Sequence, residues 1–404
     1  MSMQSYLSAK EAAAELNISI ATLYAYVSRG LIRSEATEGK SRARKYSATD
    51  IAELKNKQMY RKNPGQAAQK SLRLGMPVLD STITFIDDGQ LYYRGANAIE
   101  LAMERNFEEV IAFLWNGEFS YSHLFVEADH SYFPNQPIEN LSPLERFQAV
   151  LPLAAAEDLA GYDHSPAGLQ RTGVRILHLL TRLITGNRPI ESIAGALQQA
   201  WIPDNAEGKK AIEAALILCA DHELNVSAFT ARCIASAGST LYQVIIGGLA
   251  ALQGVRHGGH TLRVQAMLDE ISGDVAPKLS QLIRRGEEVP GFWQPLYPNG
   301  DPRGMKLLEL AEEYAVNQLS LREALQASAF VTQTLQRFPN LDYGLVTLAR
   351  AMNLPAEAPI ILFAIGRTSG WIAHALEQYA GGQLIRPRAR YVGKMPEGVV
   401  ENRG

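Results

Sequence analysis

VSAFTARCIASAGSTLYQVIIGGLAALQG, residues 226–254, decides the fold class. Its apolar residues recur at i, i+3, i+4 and i+7, the spacing of one helix face, and not at the two-residue alternation of a half-buried strand. Its second half, LYQVIIGGLAALQG, is apolar all round, as expected for a helix buried on every side. The same period runs through residues 97–117, 142–156, 168–184, 189–201 and 208–224. Residues 81–95, STITFIDDGQLYYRG, depart from it: two short β-rich runs around Asp-Asp-Gly form a hairpin signal. The expected body is all-α with one short β-hairpin.

The 404 residues suffice for two or three domains and a large core. With 47% hydrophobic and 20% charged residues, the composition is that of an ordinary globular protein. The absence of an uninterrupted apolar run of about 18 residues argues against a membrane span. The N-terminal stretch MSMQSYLSAKEAAAELN has no apolar core of a secretory signal, so a cytoplasmic protein is expected. Cys219 and Cys233 both lie in helical patterns, which encodes neither a disulfide framework nor a cysteine zinc site. Charge is uneven: residues 1–63 carry eleven Lys/Arg against six Asp/Glu, and the rest twenty-eight against thirty-six. A basic arm on an acidic body predicts a separate module with an anionic partner.

That arm reads as two short helices around a tight turn. Ser8 with Glu11 forms a capping box, Ala12, Ala13 and Leu16 make one face, and Ser19 caps a second helix that ends at Gly30. Residues 38–54 then read as a two-stranded wing and a third helix capped by Thr49. The pattern resembles the winged helix-turn-helix of MerR-type regulators and excisionases, in which one helix enters the major groove and the wing touches phosphate. Arg42, Arg44 and Lys45 suit phosphate contacts. Such units also serve as protein-contact modules. The module spans residues 1–62, with a linker to about residue 70.

Within the body, chemistry-bearing residues gather at breaks between helices. No GxGxxG, Walker loop or HExxH occurs, so neither a dinucleotide, a P-loop nor a metalloprotease site is expected. His222 stands at a helix end beside Asn225, and His257 in a Gly-rich turn that opens a helix. Free N–H groups at a helix start favour a neutral imidazole and an anionic ligand. Asp342 stands where a loop becomes a helix, Arg367 reads as another helix start, and LIRPRARYVG supplies three arginines in the tail. GFWQPLYPNGDPRG, residues 291–304, puts Asp-Pro-Arg ahead of an apolar helical run, as if to hold a guanidinium in place.

In order and spacing, the segments FIDDGQLYYRG, FEEVIAFLWNGE, DHELN, GVRHGG, GF…LYPNGDPR, NLDYGL, GRTSGWIAHALEQ and IRPRARYVG resemble the citrate synthase family over roughly residues 70–395. The resemblance implies an obligate helical homodimer with the active site between a large and a small domain. The large one would comprise residues 70–255 and 345–404, the small one 256–344. It implies an acyltransferase that joins acetyl-CoA or a related acyl-CoA to oxaloacetate or another 2-oxo acid, with the CoA thioester as substrate and no metal or redox cofactor. Asp342 matches the base for the thioester methyl proton, and His257 the neutral donor to the enol oxygen. His222, Arg303, Arg367 and Arg386 match the groups that bind the oxo acid, Arg386 from across the dimer.

One segment departs from the family pattern. Gly-Phe-Gly-His is usual, its histidine polarising the ketone, whereas this chain reads Gly291-Phe292-Trp293-Gln294. Gln294 donates a neutral hydrogen bond but carries no positive charge and transfers no proton. Trp293 is expected to fill space near the oxo acid. His260, where alanine usually follows HGG, reads as a substitute donor or as an exposed surface histidine. Three functional readings follow: a slow or altered condensing enzyme, one acting on a different 2-oxo acid, or a di- or tricarboxylate- or CoA-sensing pseudoenzyme that regulates through a DNA-binding N-terminal module.

Overall fold

The computed structural model describes residues 6–16, 18–29, 31–36, 44–47, 50–51, 79–125, 133, 140–187, 189–389 and 392–394. The chain divides into two compact units, Met1–Asp80 and Ser81–Gly404.

In the first unit the helices Ala9–Leu16 and Ile20–Ser28 form as their caps require. Ser8 N–H donates to Glu11 Oε2 at 2.8 Å, and Ser19 Oγ accepts from Thr22 N at 3.1 Å. Strands β1 (Tyr6–Leu7), β2 (Ser34–Ala36) and β3 (Arg44–Ser47) make an antiparallel sheet in the order β1-β3-β2. The wing is therefore three-stranded where two strands were expected, because Tyr6–Leu7 pairs with the free edge of β3. Ala12, Leu16, Leu23, Ile32, Tyr46 and Ile51 form the small core. Arg33 clamps Asp50 at 2.7 Å and holds its carboxyl down to about 2. Arg44 and Lys45 are exposed on β3. Arg42, the Thr49 cap, Gly30 and the linker lie outside the described residues.

The second unit is mostly helical, and among the described residues no helix is long and apolar enough to cross a membrane. Its hairpin pairs β4 (Thr84–Asp87) with β5 (Gln90–Tyr93), and a third short strand, β6 (Ala96–Asn97), extends it. Asp88 (φ 46) and Gly89 (φ 73) both take the left-handed region, as a two-residue hairpin turn of this twist demands.

Two hydrophobic cores fill the unit. The larger is centred on helices Gly208–Cys219 and Ala358–Gly381, whose backbones run close together. A Cβ on Gly366 would stand 2.6 Å from Leu216 O, and one on Gly370 2.1 Å from Ala220 O, so only glycine permits this approach. Helix Leu241–Leu252 was expected to be buried on every side; it exposes Gln243 and Ala250 and buries the opposite face, with Gly248 under the Trp371 ring. The smaller core is drawn from residues 264–346, among them Val264, Leu279, Phe292, Val331 and Tyr343. Helices Pro302–Tyr314 and Leu341–Ala351 serve both cores: Leu307 and Leu345 face the larger, Leu308 and Val346 the smaller.

Candidate active site

Arg303 and Asp342 open the two helices that straddle the cores. Asp301 caps Pro302–Tyr314, accepts Arg303 N–H at 3.1 Å, and grips the guanidinium with both oxygens, Oδ1 to Nε at 2.9 Å and Oδ2 to Nη2 at 2.7 Å. Asp301 Oδ2 also accepts Leu341 N–H at 3.3 Å, which ties the start of one helix to the start of the other. Burial alone would depress Arg303; the Asp301 carboxylate overrides it and keeps the guanidinium charged. One edge of the Arg303 fork is thus committed to its own helix cap, and its plane lies over the Tyr297 ring. Asp342 Oδ1 is buried with no hydrogen-bond partner. Burial pushes its carboxyl up to about 7, against the charges of Arg303 and Arg367.

Arg367 stands in the middle of helix Ala358–Gly381, where a helix start was expected. The glycines that read as a break are close-approach glycines, and they set Arg367 Nε 2.7 Å from Cys219 O. Its guanidinium lies over Phe363, and Nη2 is buried with no partner. An unsatisfied buried guanidinium N–H is costly, which makes it a waiting donor for an anion.

His222 is positioned from the hairpin. Tyr93 Oη donates to Ile217 O at 3.0 Å, and Thr84 Oγ1 to Asp221 Oδ2 at 2.5 Å. Asp221 is held on its other oxygen by His374, 3.2 Å away and equally buried. His222 Nε2 shares a 3.0 Å hydrogen bond with Tyr297 Oη. Burial first, then Arg303 and Arg367, push the His222 imidazole well below its ordinary pKa. His257 is likewise lowered to about 3 by burial and the Arg367 charge. Both rings are neutral at physiological pH.

His257 Nε2 lies 2.7 Å from Ser227 Oγ. Asn225 Oδ1, the cap of helix Val226–Ser236, already accepts the N–H groups of Ser227 and Ala228, each at 3.1 Å. The Ser227 hydroxyl itself donates to Asn225 Oδ1 at 2.7 Å, and its lone pairs face His257 Nε2.

Gln294 Oε1 accepts Leu296 N–H at 3.1 Å, so the Nε2 amide is the end left to donate. Trp293 adopts φ 77 and is 56% exposed. Its N–H donates to Phe338 O at 2.8 Å, which fixes a conformation that only glycine takes freely and turns the indole outward. His260 is neither exposed nor aimed at the cluster: it is half-buried, with Nε2 accepting Gly291 N–H at 3.0 Å. Arg386 is exposed beyond the last helix, and among the described residues no hydrogen bond or ion pair joins it to the other site residues.

The structure therefore draws His222, His257, Arg303, Asp342 and Arg367 into one electrostatically coupled cluster and leaves Arg386 outside it. Asp301 holds the Arg303 guanidinium as the Asp-Pro-Arg reading expected. Ser227 and Tyr297 were not anticipated from the sequence, although the Asn225-x-Ser227 cap was an available signal for the first.

Solved structures share this helical fold. Citrate synthase from Thermotoga maritima superposes with a TM-score of 0.68 at 28% identity, covering 82% of this chain and 98% of that one. Citrate synthase from Thermoplasma acidophilum, solved as a ternary complex with carboxymethyl coenzyme A and oxaloacetate, superposes at 0.70 with 24% identity, again over 82% and 98%. Residues 72–388 match the family described as citrate synthase, C-terminal domain, and residues 6–59 match a helix-turn-helix domain. The chain belongs to the citrate synthase family. Among curated relatives, citrate synthase 2 of Bacillus subtilis is 29% identical over 79% of this chain and 94% of its own length. The 2-methylcitrate synthase of Shewanella oneidensis is 31% identical over 47% and 52%. These relatives support a transferase of the citrate synthase type.

Proposed function

We propose that the protein condenses an acyl-CoA thioester, acetyl-CoA or a close relative, with oxaloacetate or a related 2-oxo acid. The observation that carries this reading is Asp342: a buried carboxylate oxygen with no partner, its carboxyl raised by burial to near neutrality against the charges of Arg303 and Arg367. A general base works best with a pKa near the operating pH. Asp342 takes a proton from the thioester methyl, and the electrons move onto the thioester oxygen, which accepts a hydrogen bond from the neutral His257 imidazole. The enol carbon then attacks the ketone carbon, the former ketone oxygen takes up a proton from water, and hydrolysis of the resulting CoA thioester by a second water releases the acid and the free CoA thiol. Arg367 Nη2, the open edge of Arg303 and the His222–Tyr297 pair hold the oxo acid carboxylates, and Gln294 Nε2 donates to the ketone oxygen.

In this reading the smaller core, within residues 256–344, is the small domain that closes on the larger one, and Arg386 enters the site from the second subunit of a homodimer. Gln294 makes ketone polarisation weaker than an imidazole would, or suits it to another oxo acid. No metal or redox cofactor takes part, and the protein works in the cytoplasm. The helix-turn-helix module, with Arg44 and Lys45 exposed on its wing, binds DNA phosphate.

The test is free thiol release from acetyl-CoA and propionyl-CoA with a panel of 2-oxo acids. Release that requires both substrates supports the reading. Oxo acid binding without thiol release or methyl exchange for any pair would instead support a carboxylate-sensing regulator.

A further inference from the structure

His260 opens helix His260–Ile271 and takes no part in the chemistry proposed above. Its Nε2 accepts the Gly291 N–H at 3.0 Å, so the neutral ring keeps its proton on Nδ1. Gly291 is held from the other side too, its carbonyl accepting Asn340 N–H at 2.9 Å. It sits at φ +87 with no room for a side chain: a Cβ would meet the Tyr343 ring at 2.8 Å and Val264 at 2.9 Å. Two residues on, Trp293 is pinned at φ 77 by Phe338 O. Gln294 O then accepts Tyr297 N–H at 2.9 Å, and Tyr297 Oη meets His222 Nε2 at 3.0 Å. Segment and hydrogen bonds form one continuous path from His260 to His222.

We propose that His260 is a positioning residue for the oxo acid half of the reaction, fixing the Gly291–Tyr297 segment so that the Gln294 amide and the Tyr297–His222 pair hold their places. The proposal rests on the condensing reading. A tryptophan in the left-handed region is strained and persists only where its surroundings over-determine the backbone. The bonds to His260, Asn340 and Phe338 supply that constraint. Only the His260 bond comes from a side chain, and only it can be lost by substitution without touching Gly291 itself.

Two charged groups face the ring: Arg263, whose Nη1 reaches Nδ1 only at 3.5 Å and so yields the one acceptor nitrogen to the shorter Gly291 contact, and Glu288, ion-paired to Arg263 at 3.3 Å. Burial and the Arg263 charge keep the imidazole below its ordinary pKa, with Glu288 opposing, so the acceptor persists at neutral pH.

His260→Leu removes the acceptor at similar size, and His260→Gln restores one. Hydrogen exchange over residues 288–298 in the unliganded full chain should quicken in the Leu variant and return towards the parent in the Gln variant. The Leu variant should lose about 10- to 100-fold in kcat/KM for the oxo acid, as expected for a misplaced contact. Deuterium exchange from the thioester methyl, which depends on Asp342 and His257, should stay within about 2-fold, a selectivity that general loosening of the fold would not produce. Unchanged segment exchange overturns the proposal, and so does quickened exchange with unaltered kcat/KM. If the parent releases no thiol with any substrate pair, the condensing reading fails. The same variants are then read by oxaloacetate affinity: a weaker Kd in Leu with recovery in Gln supports positioning, and an unaltered Kd overturns it.

Discussion

Two halves of the candidate site are built differently. Asp342, Arg367 and Arg303 stand on helices that pack into the cores, and their environments are set by burial and by fixed partners such as Asp301 and Cys219 O. The Gly291–Tyr297 segment is a loop held by backbone hydrogen bonds and by His260, and it carries both the left-handed Trp293 and the neutral Gln294. In the proposed mechanism, proton abstraction falls to the helix-borne half, and the departures from the family pattern at Trp293 and Gln294 fall in the loop half, which would face the ketone.

The largest expected effect bears on the helix-borne half. Arg367→Ala and Arg386→Ala should each lower turnover by about 10²–10³, the usual loss for an electrostatic contact in a transition state. Mixed after unfolding and refolding, the two inactive proteins should recover about a quarter of parent activity, because each hybrid of a two-fold dimer holds one intact site. Verified hybrids with no recovery would place Arg386 outside the partner's site.

Stability gives the next largest. The folded Asp342 carboxyl, at about 7, lies above its unfolded value, so its contribution to stability is full below about pH 4 and is lost as pH rises through 7. Asp342→Asn should escape that loss and be more stable than the parent by about 2–4 kcal/mol at pH 8, with the difference vanishing near pH 4. Denaturant melts at both pH values check it. Glu213, also raised to about 7 by burial and Glu108, titrates in both proteins and cancels from the difference.

The loop half predicts smaller changes of opposite sign. Gln294→His with Trp293→Gly should raise citrate formation from oxaloacetate by about 10-fold, one restored electrophilic contact. A fall in turnover of a different oxo acid, with no gain for oxaloacetate, would instead mark a changed specificity. Trp293→Gly alone should stabilise the fold by about 1 kcal/mol or less, since relief of left-handed strain is opposed by the entropy that glycine adds to the unfolded chain.

Legibility follows the same division. Helical faces were readable because burial imposes a 3.6-residue period, and the turn at Asp88-Gly89 because few residues accept left-handed backbone. His222, His257, Arg303, Asp342 and Arg367 were readable only through the order and spacing of family segments. Partners distant in sequence carried no local signal: Ser227 and His257 are 30 residues apart, Tyr297 and His222 75. The reading of Arg367 as a helix start failed in an instructive way, because Gly366 and Gly370 flank it inside one helix. Glycine signals a break when the backbone must turn, yet here it marks two helices in near contact, and only the facing carbonyls of Leu216 and Ala220 tell the cases apart. The left-handed backbone of Trp293 was equally silent in the sequence, because nothing local marks a bulky residue for that conformation.

The central claim, that Asp342 is the base of a condensing enzyme, is tested most directly by incubating the protein with the acyl-CoA, an unreactive oxo acid analogue and deuterated water. Deuterium should enter the thioester methyl with the parent, and Asp342→Asn should slow that entry by about 10²–10⁴ while oxo acid affinity changes little. Equal exchange in the two proteins would contradict the account.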